Sequence, residues 1–394
     1  MSRHVVVVAA RRTPIGRFLG AFAELTAVDL GVAAARAALA DSGLEPEAVP
    51  ETVFGHARQA GCGPNPARQV ALRCGLPETV VATTINQACG SGLAAVLLAR
   101  DRIRLGEAEA VLAGGMENMS RVPHLLPRAR LGYRMGHGRV VDAMYEDGFL
   151  CPLAEQIMGE TAETLAERYG ISREEQDAFA ARSQNRAEEA QVAGRFDREI
   201  VPVEVTGRKG AVTVDRDEHP RSGVTPGSLA KLPPVFHGSG TVTAGNASGI
   251  TDGAAALVLM EEREAERRGI EPLALLEDGA SAGVDPKIMG IGPVPAVEKL
   301  NTRLGLRVSD YDLVELNEAF AAQVLAVDKD LRFDHDRLNV NGGAIALGHP
   351  IGASGARIAV TLLHELARRG GTRGLATLCV SGGLGVAASF RRGA

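Results

Sequence analysis

The chain has 394 residues, a formal charge of −5, and 45% apolar against 23% charged residues. That length suggests two or three domains, and the composition excludes a disordered chain. The mild acidity, an aromatic content of 4% and the absence of Trp argue against a basic nucleic-acid surface or a stacking platform for single strands.

Five cysteines, Cys62, Cys74, Cys89, Cys151 and Cys379, form no CxxC pair. An odd, scattered set argues against a disulfide framework and for a reducing cytosol, so a cytoplasmic protein is expected. No HExxH or Cys/His spacing points to a metal. The first apolar run, residues 5–10, is too short for a secretory core or a membrane span. Structure is expected from almost the first residue, without room for a transit peptide, and the final SFRRGA carries no targeting signal.

In chain order, residues 5–10 (VVVVAA) read as a buried strand and residues 29–42 as a helix with Ala at close-packing positions. Residues 110–113 (AVLA) read as a strand ended by Gly114 and Gly115. From about 120 to 240 the chain is rich in Arg, Gly and Pro, with one long helical stretch at 173–193. The rest of that region reads as surface loops and short strands, an insertion serving as a lid or binding domain. Residues 256–260 and 375–380 read as further strands. Such alternation indicates an α/β protein with buried, mostly parallel sheets.

One segment echoes another. Gly90-Ser91-Gly92-Leu93 precedes the helical run AAVLLAR, and Ala353-Ser354-Gly355-Ala356 precedes RIAVTLLHELARR. Each helix is followed by a strand ending in a glycine pair, 114–115 or 382–383. Chance in an Ala/Gly-rich chain can produce this. The functional reading is a duplicated α/β domain with a site between its halves.

Four segments could carry chemistry. In INQACGSGLAAVLLA (85–99), Cys89 stands just before a helix N-terminus, whose partial positive charge and free N–H groups would lower a thiol's pKa. Alone, it also reads as a buried structural cysteine. In NVNGGAIALGHPIGASGARIAV (339–360), His349 lies in a rigid Gly/Pro turn and could serve a thiol as general base, or be only a turn residue. In LATLCVSGGLGVAASF (375–390), Cys379 ends a strand, where open α/β sheets present ligand sites, though a packed core Cys is the alternative. In VELNEAFAAQVLA (314–326), Asn317 and Glu318 open a helix after a strand, either as caps or with Asn317 orienting a water or carbonyl.

Together these segments resemble the thiolase family. The resemblance runs through RTPIGRFLGAF (12–22), VLAGGMENMS (111–120), TVTAGNASGITDGAAA (241–256), VDPKIMGIGPVPA (284–296), NEAF (317–320), GHPIGASG (348–355) and CVSGGLG (379–385). Ketoacyl synthases share the fold but pair two His with their Cys. The resemblance implies duplicated α/β domains in a five-layered α-β-α-β-α sandwich with an inserted loop domain. The implied limits are 1–118 with 249–270 for the N-terminal half, 119–248 for the insert that binds CoA and mediates oligomerisation, and 271–394 for the C-terminal half.

It also implies roles. Cys89 would accept the acyl group, His349 would activate it and help form an oxyanion hole, and Cys379 would be the acid/base at the α-carbon of acetyl-CoA. Asn317 would hold the water completing that hole. The backbone N–H groups of Cys89 and Ser381 would form a second. Arg221 would contact the adenine end of coenzyme A, and Ser228 and Ser248 its linker; Arg221 and Ser228 also read as ordinary solvated loop residues. Met158, Met289, Ala319 and Phe320 would line the acyl and pantetheine pocket, or simply pack.

The implied activity is acyl-CoA:acetyl-CoA C-acyltransferase, foremost an acetyl-CoA acetyltransferase in fatty acid metabolism. Alternatives are a medium- or long-chain degradative 3-ketoacyl-CoA thiolase, or a non-catalytic acyl-CoA or lipid-binding relative. CoA would be a substrate, with no tightly bound cofactor or metal, no nucleic-acid or membrane partner, and a homotetramer or homodimer expected. Two positions depart from the family. Ile157-Met158-Gly159 stands where short-chain thiolases usually carry His-Met-Gly, which leans toward broader or longer substrates. Ser381 stands where Gly is common, tolerable if its φ is negative.

Overall fold

The computed structural model describes residues 3–207 and 210–393. Its core elements in chain order are β1 (Val5–Arg12), α1 (Ala27–Ser42), β2 (Glu51–Gly55), β3 (Val81–Ile85), α2 (Ser91–Leu105), β4 (Ala110–Asn118), α3 (Met158–Tyr169), α4 (Arg173–Val192) and β5 (Thr251–Glu261). There follow β6 (Ala274–Gly283), α5 (Pro293–Leu304), β7 (Leu313–Leu316), α6 (Ala321–Leu331), α7 (Ile351–Arg369), β8 (Arg373–Val380) and β9 (Leu384–Arg391).

The strands form two runs of the same design. The first has the order β1-β5-β4-β2-β3, the second β6-β9-β8-β7. In each the first two pairings are antiparallel and the next is parallel. The parallel β2–β3 pair has its counterpart in a parallel bridge from Val314 to Leu338. The runs meet where β1 pairs with β6, antiparallel, at Val6–Leu275 and Val7–Ala274. The sheet is therefore mixed rather than mostly parallel. The return from β8 to β9 takes only residues 381–383, and so short a connection can only reverse the chain.

Five layers result. On β1, Val6 and Val8 face α1 in one cluster, while Val5 and Val7 face α2 and α7 in another. Burial on both faces is why the run is continuously apolar. The pair α2 and α7 is the middle layer; its other side packs on Ala376 and Leu378 of β8 and Val386 of β9. Val297 and Leu300 of α5 cover the far face of the second run with Leu375 and Ala387. The two middle helices touch backbone to backbone. A Cβ on Gly92 would lie 2.7 Å from the Ala356 nitrogen, and one on Gly355 2.3 Å from the Leu93 nitrogen. This reciprocal contact fixes the register of the internal echo, Gly92 matching Gly355 and Leu93 matching Ala356.

Three local expectations are corrected. Gly114 and Gly115 lie inside β4, because a Cβ there would strike the Ala255 and Gly352 carbonyls at 2.3 and 2.2 Å. Gly382 and Gly383 instead form the β8–β9 turn with φ of +89° and +85°, so the glycine pairs are not equivalent. Helix α6 starts at Ala321, with Phe320 rather than Asn317 or Glu318 at its N-cap. Between β4 and β5, α3 was not anticipated, while α4 starts on a Ser172–Glu175 capping box. Val203–Gly207 pairs antiparallel with Gly210–Val214; residues 208–209 between them lie outside the described residues.

Candidate active site

Cys89 stands one residue ahead of the α2 N-cap, Gly90. The residue before it, Ala88, has φ of +44°, a conformation that costs a non-glycine residue of order 1–3 kcal/mol and is sustained by its surroundings. His349 precedes Pro350, the N-cap of α7, so both residues sit at N-termini of the middle layer. Cys379 lies one residue before the end of β8. These elements converge on a cavity of about 370 Å³ lined by Cys89, His349, Cys379 and Ser381 together.

The electrostatics divide the labour. Burial pushes the Cys89 thiol up, while the Ser381 backbone N–H, Arg58 and the residue's own N–H pull it down. The balance stays upward, so the helix terminus alone does not leave a thiolate, contrary to expectation. Burial, reinforced by Arg357 and Arg58, holds His349 at about 3, so its ring is neutral at working pH. Its Nδ1 lies 2.5 Å from the Ser354 hydroxyl, which donates to the Pro350 carbonyl at 3.0 Å. With that hydrogen committed, the hydroxyl accepts from Nδ1–H, leaving Nε2 with a lone pair. Nε2 is buried without a hydrogen-bond partner among the described residues. Burial and the neighbouring Cys89 also push Cys379 strongly upward. The cavity thus holds a thiol pushed toward its protonated form, a neutral imidazole with an unpartnered Nε2, and a second thiol that keeps its proton.

The second thiol packs in an apolar cluster with Met289, Ala319 and Phe320, flanked by Met158 and Phe236. The rings of Phe236 and Phe320 meet edge to face at 6.3 Å. Met158, Met289, Ala319, Phe320 and Ser248 all line the cavity, and Ser248 N–H donates to the Ala319 carbonyl at 3.0 Å. Ser381 has no positive φ, so the side chain is accommodated without strain.

Asn317 is fully buried and does not line the cavity, and neither polar atom of its side chain has a hydrogen-bond partner among the described residues. Its neighbour Glu318 is structural. It accepts from Ser183 of α4 at 2.6 Å, from the Asn339 amide at 2.9 Å and from Ile345 N–H at 3.2 Å. Arg221 and Ser228 do not reach the cavity. Both are exposed: Arg221 N–H donates to Gln184, and Ser228 caps a short turn with Thr225.

Sequence reasoning missed three residues here. Ser354, read only as part of a glycine turn, orients His349. Glu117 accepts from the backbone N–H groups of Ala57, Arg58 and Gly352, tying the His56–Arg58 segment to the start of α7. Arg58 lines the cavity itself. The sequence run GHAR carries no local signal that places Arg58 at the cavity.

The comparisons agree over the whole chain. The N-terminal thiolase domain pattern matches residues 5–263 and the C-terminal one residues 270–392. An acetyl-CoA acetyltransferase of Cupriavidus necator is 53% identical over 98% of this chain and 99% of its own, and that of Escherichia coli 52% over 99% of each. Among solved structures, acetyl-CoA acetyltransferase from Syntrophomonas wolfei superposes with a TM-score of 0.98 at 45% identity, covering 100% of both chains. Human mitochondrial 3-ketoacyl-CoA thiolase in complex with CoA gives 0.96 at 44% identity, covering 99% of this chain and 98% of that one.

Proposed function

The chain belongs to the thiolase family, and from that premise we propose that it is an acyl-CoA:acetyl-CoA C-acyltransferase, acting chiefly as an acetyl-CoA acetyltransferase. The observation that carries this reading is one cavity holding Cys89, His349 and Cys379, with the Nε2 lone pair free.

In thiolysis, Nε2 of His349 takes the Cys89 proton and the thiolate attacks the 3-keto carbon. The C2–C3 bond breaks, its electron pair forms the enolate of acetyl-CoA, and Cys379 protonates C2. Acetyl-CoA leaves. The Cys379 thiolate then deprotonates CoA, whose sulfur attacks the acyl-Cys89 thioester. The departing Cys89 recovers its proton from His349, and every group is restored for the next turnover. Condensation is the reverse. A developing oxyanion has two sets of donors: His349 Nε2–H with a water on the Asn317 amide, and the backbone N–H groups of Cys89 and Ser381. Losing one such donor costs about 2.7–4 kcal/mol.

Coenzyme A is a substrate in this reading, and no tightly bound cofactor is needed. Ser248 at the cavity and Arg221 and Ser228 outside it are assigned to the CoA linker and nucleotide. The exposed apolar side chains Leu131 and Met135, 80% and 96% accessible, support a homo-oligomer built through the 119–248 insert. No helix among the described residues is long and apolar enough to cross a membrane. On the odd, scattered cysteine set we assign the protein to the cytoplasm, and on the thiolase reading to fatty acid metabolism.

A second reading, a longer-chain degradative thiolase, is favoured by Ile157, an apolar lining residue where short-chain enzymes carry His. CoA-dependent thiolysis of 3-ketoacyl-CoA from four to sixteen carbons, with Cys89→Ala as control, separates the two. A four-carbon preference supports the first reading and a long-chain profile the second. No turnover at any length refutes both.

A further inference from the structure

The mechanism leaves one charged lining residue unused. Arg58 is 8% exposed, and its guanidinium borders a cavity whose walls are otherwise largely apolar. Its Nε is buried without a hydrogen-bond partner, and among the described residues the side chain forms no ion pair. Arginine does not shed its charge when buried, so a guanidinium without an ion-pair partner favours an anion beside it.

The neighbouring carboxylate, Glu117, feels the Arg58 charge but makes no ion pair with it among the described residues. Glu117 already accepts three backbone N–H groups and lies 3.2 Å from Nε2 of His56. Burial opposes the charged form of His56, but contacts with Cys62 and Glu117 outweigh it and raise the imidazole to about 9. His56 and Glu117 therefore cancel at neutral pH, and Arg58 leaves a net positive charge at the cavity wall.

The local backbone is shaped around this cation. Tyr145–Phe149 forms a π-turn, a rare geometry common at functional sites. Its buried Gly148 lies flat against the guanidinium; a Cβ there would sit 2.4 Å from Nη2 and 2.5 Å from Nε. Tyr145 and Phe149 line the cavity beside it. Arg58 also lies close to the chemistry, since its charge lowers the proton affinity of both Cys89 and His349. Arg58 and Cys89 thus line one cavity, with the cation near the sulfur.

We propose that Arg58 forms an anion subsite at the acyl end of the cavity, so that the enzyme also accepts 3-ketoacyl-CoA substrates whose acyl chain ends in a carboxylate. This rests on the thiolase reading and deepens it. A carboxylate is planar and matches the guanidinium fork, and it would supply the missing partner inside a dry pocket.

The test compares two six-carbon substrates, 3-ketohexanedioyl-CoA and 3-ketohexanoyl-CoA, on wild type, Arg58→Leu and Arg58→Lys. The readout is the ratio of kcat/KM for the acid over the neutral substrate. Wild type favours the acid. In Arg58→Leu the ratio falls about 30-fold or more, the loss typical of removing one partner of a buried charge pair. Arg58→Lys retains part of it. A readout independent of turnover is alkylation of Cys89: the iodoacetate-to-iodoacetamide rate ratio drops in Arg58→Leu, with thermal unfolding confirming a folded variant. No preference for the acid in wild type overturns the proposal while leaving the thiolase reading intact. An equal loss on both substrates overturns it too, since Arg58 then serves the thiolate. Absence of turnover on any 3-ketoacyl-CoA defeats the thiolase reading instead, and the alkylation ratio still decides whether Arg58 recruits anions.

Discussion

In the proposed mechanism His349 is the base, and Ser354→Ala isolates what orients it. The Ser354 hydroxyl accepts from Nδ1–H of His349 at 2.5 Å and donates to the Pro350 carbonyl at 3.0 Å. Ser354 is fully buried, so no bulk water replaces it. Removing the acceptor leaves Nδ1–H unsatisfied, at a cost of about 1–3 kcal/mol. The same amount favours the other tautomer or a rotated ring, neither of which offers a lone pair to Cys89. At about 1.4 kcal/mol per tenfold, kcat falls roughly 5- to 150-fold. KM changes little, because Ser354 does not line the cavity. The assay is steady-state thiolysis of acetoacetyl-CoA alongside the rate of Cys89 alkylation by iodoacetamide; both should fall by the same factor. Ser354→Thr, which keeps the hydroxyl, should recover part of the loss if it folds. A Ser354→Ala enzyme with wild-type kcat, or one impaired only in KM, would refute the argument that Ser354 sets the tautomer.

Other outcomes follow from the same geometry. Cys379→Ala should still release CoA from acetyl-CoA by acylating Cys89, yet lose exchange of the acetyl-CoA methyl protons with deuterated water; retained exchange would remove Cys379 from the enolate step. Gly115→Ala places a Cβ 2.2 Å from the Gly352 carbonyl at the start of α7, whereas Gly227→Ala has no neighbour nearer than 3.9 Å. The first should destabilise by about 3 kcal/mol or more and the second by under about 1, read from urea midpoints; equal effects would count against the packing argument. His349 sits at about 3, so between there and its ordinary value near 6.5 the unfolded chain binds a proton that the native state refuses. Its contribution to stability is therefore present above pH about 6.5 and is lost on acidification, and His349→Asn should show a shallower decline from pH 7 to 5 than wild type. His56, raised to about 9, has the opposite sign: its contribution is full below pH about 6.5 and lost as pH rises through 9, and His56→Gln should flatten that alkaline decline.

The sequence yielded the α/β class because period-2 and helical patterns are short-range signals. The continuous VVVVAA run of β1 reported burial on both faces, and the two glycine-opened helices reported the middle layer. Their reciprocal contact at Gly92 and Gly355 is long-range and had only composition behind it. The glycine pair 114–115 misled for a related reason: glycine marks a missing Cβ, and the chain alone does not say whether that serves a turn or a close approach. Among the candidate residues, Cys89, His349 and Cys379 were legible because each stood at an element's end beside glycine. Arg58 was not, since nothing local shows that its guanidinium borders the same cavity. Nor was the upward push on Cys89, which depends on how much protein closes over the sulfur.

Duplication explains why the site forms where it does. Each half carries a middle helix whose N-terminus is preceded by a tight, glycine-bearing turn, with Cys89 in one copy and His349 in the other. Equivalent helices that cross at equivalent glycines bring those turns to one cavity from opposite halves. In the proposed mechanism neither half has both nucleophile and base, so neither could make an acyl-enzyme by this route alone. The third group breaks the symmetry. Cys379 is on β8, and the strand in the matching place, β4, carries Gly115 and Met116 into the helix packing instead. Two copies of one scaffold thus deliver three different reactive groups. What holds the two reactive turns in register is the glycine crossing, so a variant that separates α2 from α7 should lose acylation of Cys89 before it loses the fold.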